Sequence, residues 1–191
     1  MSDDQAGRPG GRWKRGLQAA GLVLAVAALS YGLALWALPR VIMAVVLQRA
    51  AGSAPPAAYW PPLTDHRARR IVLPSPDLAY ATCVFDLSLS PLRVRAAPRW
   101  PHYWSLAFYA DNTDNFLVVN DSQARDGGID LLLLPPGSPA TRRTDVQVVV
   151  APRARGLLLM RVLVPDRETD AAGADAARRT LNCQTEAAVG S

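Results

Sequence analysis

From Leu17 to Leu38 the chain runs 22 residues without a formal charge, LQAAGLVLAVAALSYGLALWAL, and no other feature limits its fold as strongly. A helix rises ~1.5 Å per residue, so about 20 apolar residues cross a ~30 Å hydrocarbon core. Gln18 and Ser30 are the clearly polar side chains in the run. Its Ala and Gly residues are tolerated because a helix satisfies its own backbone hydrogen bonds. Trp13 and Trp36 fall near the two ends, where amphipathic rings prefer to lie. Pro39 and Arg40 end the run, and Val41–Leu47 is apolar again. This pattern predicts either a helix continued past a kink to about residue 48, or a segment lying along the interface.

The flanks set the orientation. Arg8, Arg12, Lys14 and Arg15 precede the run, and only Arg40 and Arg49 follow it closely. By the positive-inside rule residues 1–16 are a cytoplasmic basic tail, residues 17–38 the transmembrane helix, and the remainder is translocated. That places the C-terminal part in the periplasm, anchored in the inner (cytoplasmic) membrane. One alternative is a signal sequence cut among the small residues Ala50–Ala54, but signal h-regions are shorter, about 7–15 residues. The other is a buried core helix, and 22 uncharged residues exceed what a 191-residue chain normally encloses.

Charge argues against nucleic acid as a partner. The formal net charge is +5, yet residues 50–191 hold fifteen arginines against fourteen acids. The excess sits around the apolar run. Binding driven by counterion release needs a clustered basic face, and the C-terminal part shows none.

Residues 50–70 read as a Pro/Ala-rich linker, with Pro55, Pro56, Pro61 and Pro62 favouring an extended spacer. Within it Tyr59 and Trp60 either dock on the domain or rest at the interface. The basic stretch Asp65–Arg70 either lies near anionic headgroups or is a solvated loop. Residues 71–191 form the expected periplasmic β domain. Runs of β-branched, aromatic and leucine residues predict strands at about Tyr80–Ser88, Leu92–Ala96, Tyr103–Ala110, Asn115–Asn120, Ile129–Leu134, Asp145–Ala151 and Gly156–Val164. Tyr80, Thr82, Val84 and Asp86 then share one face, with Ala81, Cys83, Phe85 and Leu87 opposite. Pro- and Asx-rich breaks separate the runs, and no long amphipathic helix lies between them to make a crossover. The fold class is mainly β, an antiparallel sandwich or jelly-roll-like domain behind one N-terminal transmembrane helix. The Ala- and charge-rich Arg167–Cys183 adds a short C-terminal helix.

Two cysteines, Cys83 and Cys183, are the clearest constellation. In an oxidising compartment they pair as a disulfide, closing a loop of about 100 residues and contributing up to ~4–5 kcal/mol in the chain-entropy model. Two separate buried thiols are the alternative. A catalytic thiol lacks both a C-x-x-C spacing and a histidine nearby in sequence. His66 and His102 are the only histidines, with no metal-ligand spacing and no G-x-S-x-G, P-loop or G-x-G-x-x-G elsewhere. His102, in WPHYW, reads as a packed or surface side chain. Asp111-Asn112-Thr113-Asp114-Asn115 reads first as a tight turn between two strands. A calcium loop is the sharper alternative, but the segment lacks the glycine and distal glutamate of an EF-hand. No metal or cofactor is expected.

PDLAYATCVFDLS (Pro76–Ser88), followed by HYWSLAFYADNTDNFLVVND (His102–Asp121), resembles the bacterial family known as domain of unknown function 1254. The matching residues are Pro76, Asp77, Tyr80, Asp86 and Leu87, then Tyr103, Ser105, Thr113, Asn115 and Phe116. Val148–Val164 also fits, with Arg161 where the family often has an arginine in its last core strand. The resemblance covers roughly residues 70–165 and implies a β-sandwich in the cell envelope without an established reaction. Longer members continue into a second domain, of unknown function 1214. The resemblance therefore implies a separately encoded, membrane-anchored companion of that second type.

Two functional readings follow. The first is an envelope module, anchored in the lipid bilayer, that binds a partner or ligand and is not an enzyme. The second is an envelope enzyme acting on a carbohydrate or lipid, with Asp77, Tyr80, Asp86 and Arg161 grouped in one cleft. A minor third is an assembly factor whose anchor itself is functional. All three need the same topology. Alkaline phosphatase fused after Ser191 should be active in cells, and a cytoplasmic reporter fused there silent; the reverse pattern would invert the topology.

Overall fold

A computed structural model describes residues 10–50, 56–63, 74–124, 127–139 and 146–186, with side chains from Trp13 onward in the first segment. The basic stretch 65–70 with His66, and the start of the strand expected at residue 145, lie outside the described residues. The chain divides into two units, residues 1–41 and 42–191.

Helix α1 (Gly10–Ala50) carries Pro39 inside it. Arg40 donates from Nη1 to the Trp36 carbonyl and stacks 4.4 Å over the Trp36 ring. Among the described residues this is the one helix long and apolar enough, by length and composition, to cross a membrane. Its last turns belong to the second unit. Met43, Val46, Leu47 and Ala50 follow the i, i+3, i+4, i+7 spacing of one helix face. They pack against Val84, Leu157 and Tyr109.

Nine strands build two sheets among the described residues. They are β1 (Ala58–Tyr59), β2 (Leu78–Asp86), β3 (Leu92–Ala96), β4 (Trp104–Ala110), β5 (Asn115–Asn120), β6 (Ile129–Leu134), β7 (Gln147–Val150), β8 (Arg155–Leu163) and β9 (Asn182–Thr185). Sheet A has the order β1-β2-β8-β4-β5 and sheet B the order β7-β6-β3-β9. Every pairing is antiparallel except β6–β7, which is parallel. The expected architecture, mainly antiparallel β with a short C-terminal helix, α2 (Ala171–Arg178), is the one observed.

Period-two alternation sets the core. In β2 the buried Ala79, Ala81, Cys83 and Phe85 face sheet B, beside Leu158, Met160 and Val162 of β8 and Trp104, Leu106 and Phe108 of β4. Leu92 and Val94 of β3, Leu131 and Leu133 of β6, and Cys183 of β9 meet them from the other side. Ala174, Ala177 and Leu181 of the α2 region complete this core. Cys83 and Cys183 stand at disulfide distance, Cα atoms 6.7 Å apart. The pair thus ties one sheet to the other across the core.

Two short segments join the sheets beyond the seven expected strands. The described part of the Pro/Ala stretch takes the docking alternative: Ala58 and Tyr59 pair with Cys83 and Thr82, and Trp60 packs on the core. The C-terminal tail does not stop at a helix, because Asn182–Thr185 pairs with β3 as an edge strand of sheet B. Both segments are short, and neither carries the β-branched run that marks a strand.

Gly156 marks the tightest packing. A Cβ there would collide with the Tyr109 carbonyl oxygen and sit 2.5 Å from Phe85 Cζ. Ala at this position must push apart β8 and β4 or displace a fully buried ring. Gly156→Ala should therefore lower stability by about 2–3 kcal/mol, read from urea unfolding of the detergent-solubilised protein. An unchanged midpoint would mean that the strands give way freely.

Candidate functional site

The two sheets differ in where their outward polar residues lie. Sheet B presents Arg93, Arg95, Asp130, Asn182 and Gln184 around β3 and β9, and Leu132, Leu134, Val148 and Val150 toward β7. Arg93 grips Asp130 with two hydrogen bonds, 2.7 Å from Nε and 2.8 Å from Nη2, and lies 3.4 Å from Glu186. Arg95 adds a 3.2 Å contact to Asp130. These bonds, Arg93 first, hold the Asp130 carboxyl below its usual value, although burial opposes them. Such an ion-paired surface suits water.

Sheet A does not follow that pattern. One outward row, Tyr59–Thr82–Leu159–Ala107–Val118, crosses all five strands in register. A second row, Val84–Leu157–Tyr109, is the one on which α1 packs. An antiparallel sheet with one solvated side normally alternates apolar-in with polar-out. Along these two rows the outward side is mainly apolar instead, with Tyr59 50% and Val118 44% exposed at its two edges.

Polar groups enter it in a third row, Tyr80–Arg161–Ser105–Asn120. Tyr80 accepts a hydrogen bond from the Ser75 backbone N–H at 3.0 Å. Arg161 reaches along its strand to donate from Nη2 to the Tyr109 hydroxyl at 3.4 Å. The small side chains of Ser105 and Ala107 on β4 leave room for that reach. Ser105 is fully buried. Its Oγ and Arg161 Nε are the buried side-chain polar atoms, among the described residues, that have no hydrogen-bond partner. Buried polar groups are nearly always satisfied, so two orphans on directly paired residues call for an explanation.

Arg178, a buried arginine of the same domain, shows the usual solution. Arg178, 2% exposed, donates to the carbonyls of Pro61 and Tyr80 and to Asp175. It fastens residues 56–63, β2 and α2 together. Burial pushes the Asp175 carboxyl up, but Arg179 and Arg178 outweigh it and the net shift is downward. No sequence signal separated Arg178 from its neighbours.

The four residues expected to form an Asp/Tyr/Arg cleft are only partly brought together. Tyr80 and Arg161 are register partners on the outward side of sheet A. Asp86 shares that side but lies six residues further along β2, about 20 Å away at ~3.3 Å per residue. It pairs there with Arg155 at 3.4 Å, and hydrogen bonds from Ser88, with the Arg155 charge, keep its carboxyl below the usual range although burial opposes them. Asp77 is exposed in the turn before β2. The cleft of four is therefore not assembled, because strand rise separates residues that look adjacent in a motif. Ser105 was visible as a resemblance residue, and Tyr109 was not singled out.

The remaining candidates resolve as structural parts. His102 is exposed and meets the Trp100 ring edge-on at 5.4 Å between centroids. In the Asx-rich link the Thr113 N–H donates to the Ala110 carbonyl and the Ala110 N–H to the Asp114 carbonyl, closing the β4–β5 turn. Asp111 pairs with Arg153 and Asp114 accepts from Asn112. Among the described residues no group of three or more His, Cys, Asp or Glu side chains is placed to hold a metal ion.

A family model described as "Protein of unknown function (DUF1254)" matches residues 57–185. Among solved structures the chain is similar to the VPA0106 protein from Vibrio parahaemolyticus, with a TM-score of 0.61 at 14% identity over 80% of this chain. It is also similar to an uncharacterized protein from Burkholderia cenocepacia, with a TM-score of 0.46 at 21% identity over 73% of this chain. The matches span 36% and 39% of those two longer chains. No curated protein matches.

The Asp130 shift has a pH consequence. A carboxyl whose folded pKa is depressed contributes stability that is present above its unfolded pKa and lost as pH falls through the folded one. Asp130→Asn should therefore destabilise the protein at neutral pH, and its deficit against wild type should shrink as pH drops below about 4. Urea midpoints across that range measure it. A constant deficit would assign the loss to packing instead of charge.

Proposed function

This chain belongs to the DUF1254 family, and we propose that it is a membrane-anchored binding module which engages its partner through the outward side of sheet A. The observation that carries the reading is the outward row Tyr59–Thr82–Leu159–Ala107–Val118 of sheet A, which ends at both edges in exposed Tyr59 and Val118. Apolar surface left facing water is unfavourable by ~25 cal/mol per Å², and contiguous patches mark contact sites. The last turns of α1 cover one row of that side, leaving exposed apolar side chains at its edges. The uncharged run of α1 supports an anchor in the cytoplasmic membrane, and the flanking charges support a domain on the periplasmic side.

The partner that fits best is the separately encoded, anchored companion of the domain of unknown function 1214 type. The solved relative from Vibrio parahaemolyticus is far longer than this chain, which spans 36% of it. The choice rests on membership of the DUF1254 family, whose longer members carry a second domain of that type. The enzyme reading is the weaker of the two, since Asp77 and Asp86 lie apart from Tyr80 and Arg161.

Co-expression of the tagged full-length protein with that companion, followed by affinity purification in detergent, tests the proposal. The two should co-purify stoichiometrically. Val118→Asp, which places a charge on the exposed edge of the apolar row, should reduce recovery of the companion on the order of tenfold or more. Undiminished recovery with Val118→Asp would overturn the assigned surface. Turnover of an envelope glycan or lipid that disappears in Asp86→Asn would favour the enzyme reading.

A further inference from the structure

The orphaned Ser105 Oγ and Arg161 Nε point to a ligand as well as to a surface. The structure assigns to this pair, with Tyr109, a binding site for one phosphate group. The inference deepens the binding-module reading and rests on it.

Three observations converge. Both orphans are donors: a guanidinium Nε–H can only donate, and a serine hydroxyl donates one proton. They sit on directly paired residues of β8 and β4, on the same side of sheet A, and both are closed to solvent in this conformation. No described carboxylate pairs with Arg161, whereas Arg93, Arg95, Arg153, Arg155, Arg178 and Arg179 all have one. A partly buried cation without a counter-charge is unfavourable, and an anion relieves it.

The donors also select the anion. The Nε edge of a guanidinium offers Nε–H and one Nη–H in parallel, the geometry that grips two oxygens of a carboxylate or phosphate. Here that edge is joined by the Ser105 hydroxyl and by Tyr109, which accepts from Nη2 at a long 3.4 Å and keeps its own proton to donate. Donors from three side chains on two strands match the three or more oxygens of a phosphate better than the two of a carboxylate. Arg161 is half-buried, so a ligand enters at its exposed part and reaches the closed Nε and Ser105 Oγ by displacing the side chains over them. Two sources supply this chemistry, a phospholipid headgroup and a free phosphate ester.

Equilibrium dialysis of the full-length protein in phosphate-free detergent against radiolabelled inorganic phosphate tests the site, with phosphorus NMR on the same samples. Wild type should take up phosphate saturably at one per chain. Arg161→Gln should weaken uptake on the order of 10- to 100-fold, and Ser105→Ala on the order of 3- to 10-fold. Arg161→Lys, which keeps the charge and loses the fork, should recover only part of the loss. Cooperative urea unfolding certifies that each variant is folded; should Arg161→Gln fail that check, Ser105→Ala and Arg161→Lys decide alone. If headgroup phosphorus co-purifies with wild type and inorganic phosphate displaces it, the source is lipid. Uptake without lipid release makes it a soluble phosphate ester. Absence of saturable uptake by wild type, or uptake unchanged in the folded variants, overturns the site. Companion recovery is scored separately on the same variants, so the phosphate site can fail while the binding-module reading stands.

Discussion

Strand β8 is hydrogen-bonded along nearly its whole length on both sides, to β2 over nine residue pairs and to β4 over seven. Because side chains alternate with period two, this register decides at once what is core and what is surface. Met160 meets Ala81 and Leu106 inside, and Arg161 meets Tyr80 and Ser105 outside. A slip of one residue would turn Arg161 into the core and Met160 out of it. The position of Gly156 gives the register a steric lock, since a neighbouring ring and carbonyl occupy the space a side chain would need. The Cys83–Cys183 pair then links this sheet to the short tail strand of the other.

With the register fixed, the asymmetry between the sheets follows. Sheet B gathers a bidentate Arg93–Asp130 pair and its polar neighbours on β3 and β9, with Leu132 and Val148 beside them toward the β7 edge. Sheet A is covered inside by sheet B and outside, in part, by Met43 and Leu47 of α1. It is therefore covered on one side and partly covered on the other, and a strand such as GLLLMRVL reads as a nearly continuous apolar run. Within such a surface a charged side chain needs a defined partner. Arg178 has three and is structural; Arg161 has one long bond and an orphaned nitrogen, and is the group through which this surface can recognise something.

Helix α1 joins two physical tasks in one element. Its uncharged residues 17–38 meet the length requirement of a bilayer, whereas Met43, Val46, Leu47 and Ala50 form a stripe that docks on β2 and β8. The second task explains why the chain is apolar again after Pro39 and Arg40. The apolar residues there are the covering layer for Val84 and Leu157.

Local pattern was enough for a large share of this. Uncharged length, flanking charge, alternation and turn residues are properties of neighbours in the chain, so α1, seven of the strands and the two sides of β2 were legible before any coordinates. The resemblance to the 1254 family was legible from motif residues such as Tyr80, Asp86 and Asn115. Strands β1 and β9 were not, because two and four residues of mixed polarity hydrogen-bond only where a neighbouring edge receives them. The parallel β6–β7 pair, the joining of two sheets by Cys83 and Cys183, and the separation of Asp86 from Arg161 are likewise long-range facts. The candidate site is the clearest case. Arg161 was noticed in the sequence, but whether a buried donor is satisfied depends on what stands within about 3 Å of it in space, and only the tertiary structure sets those neighbours.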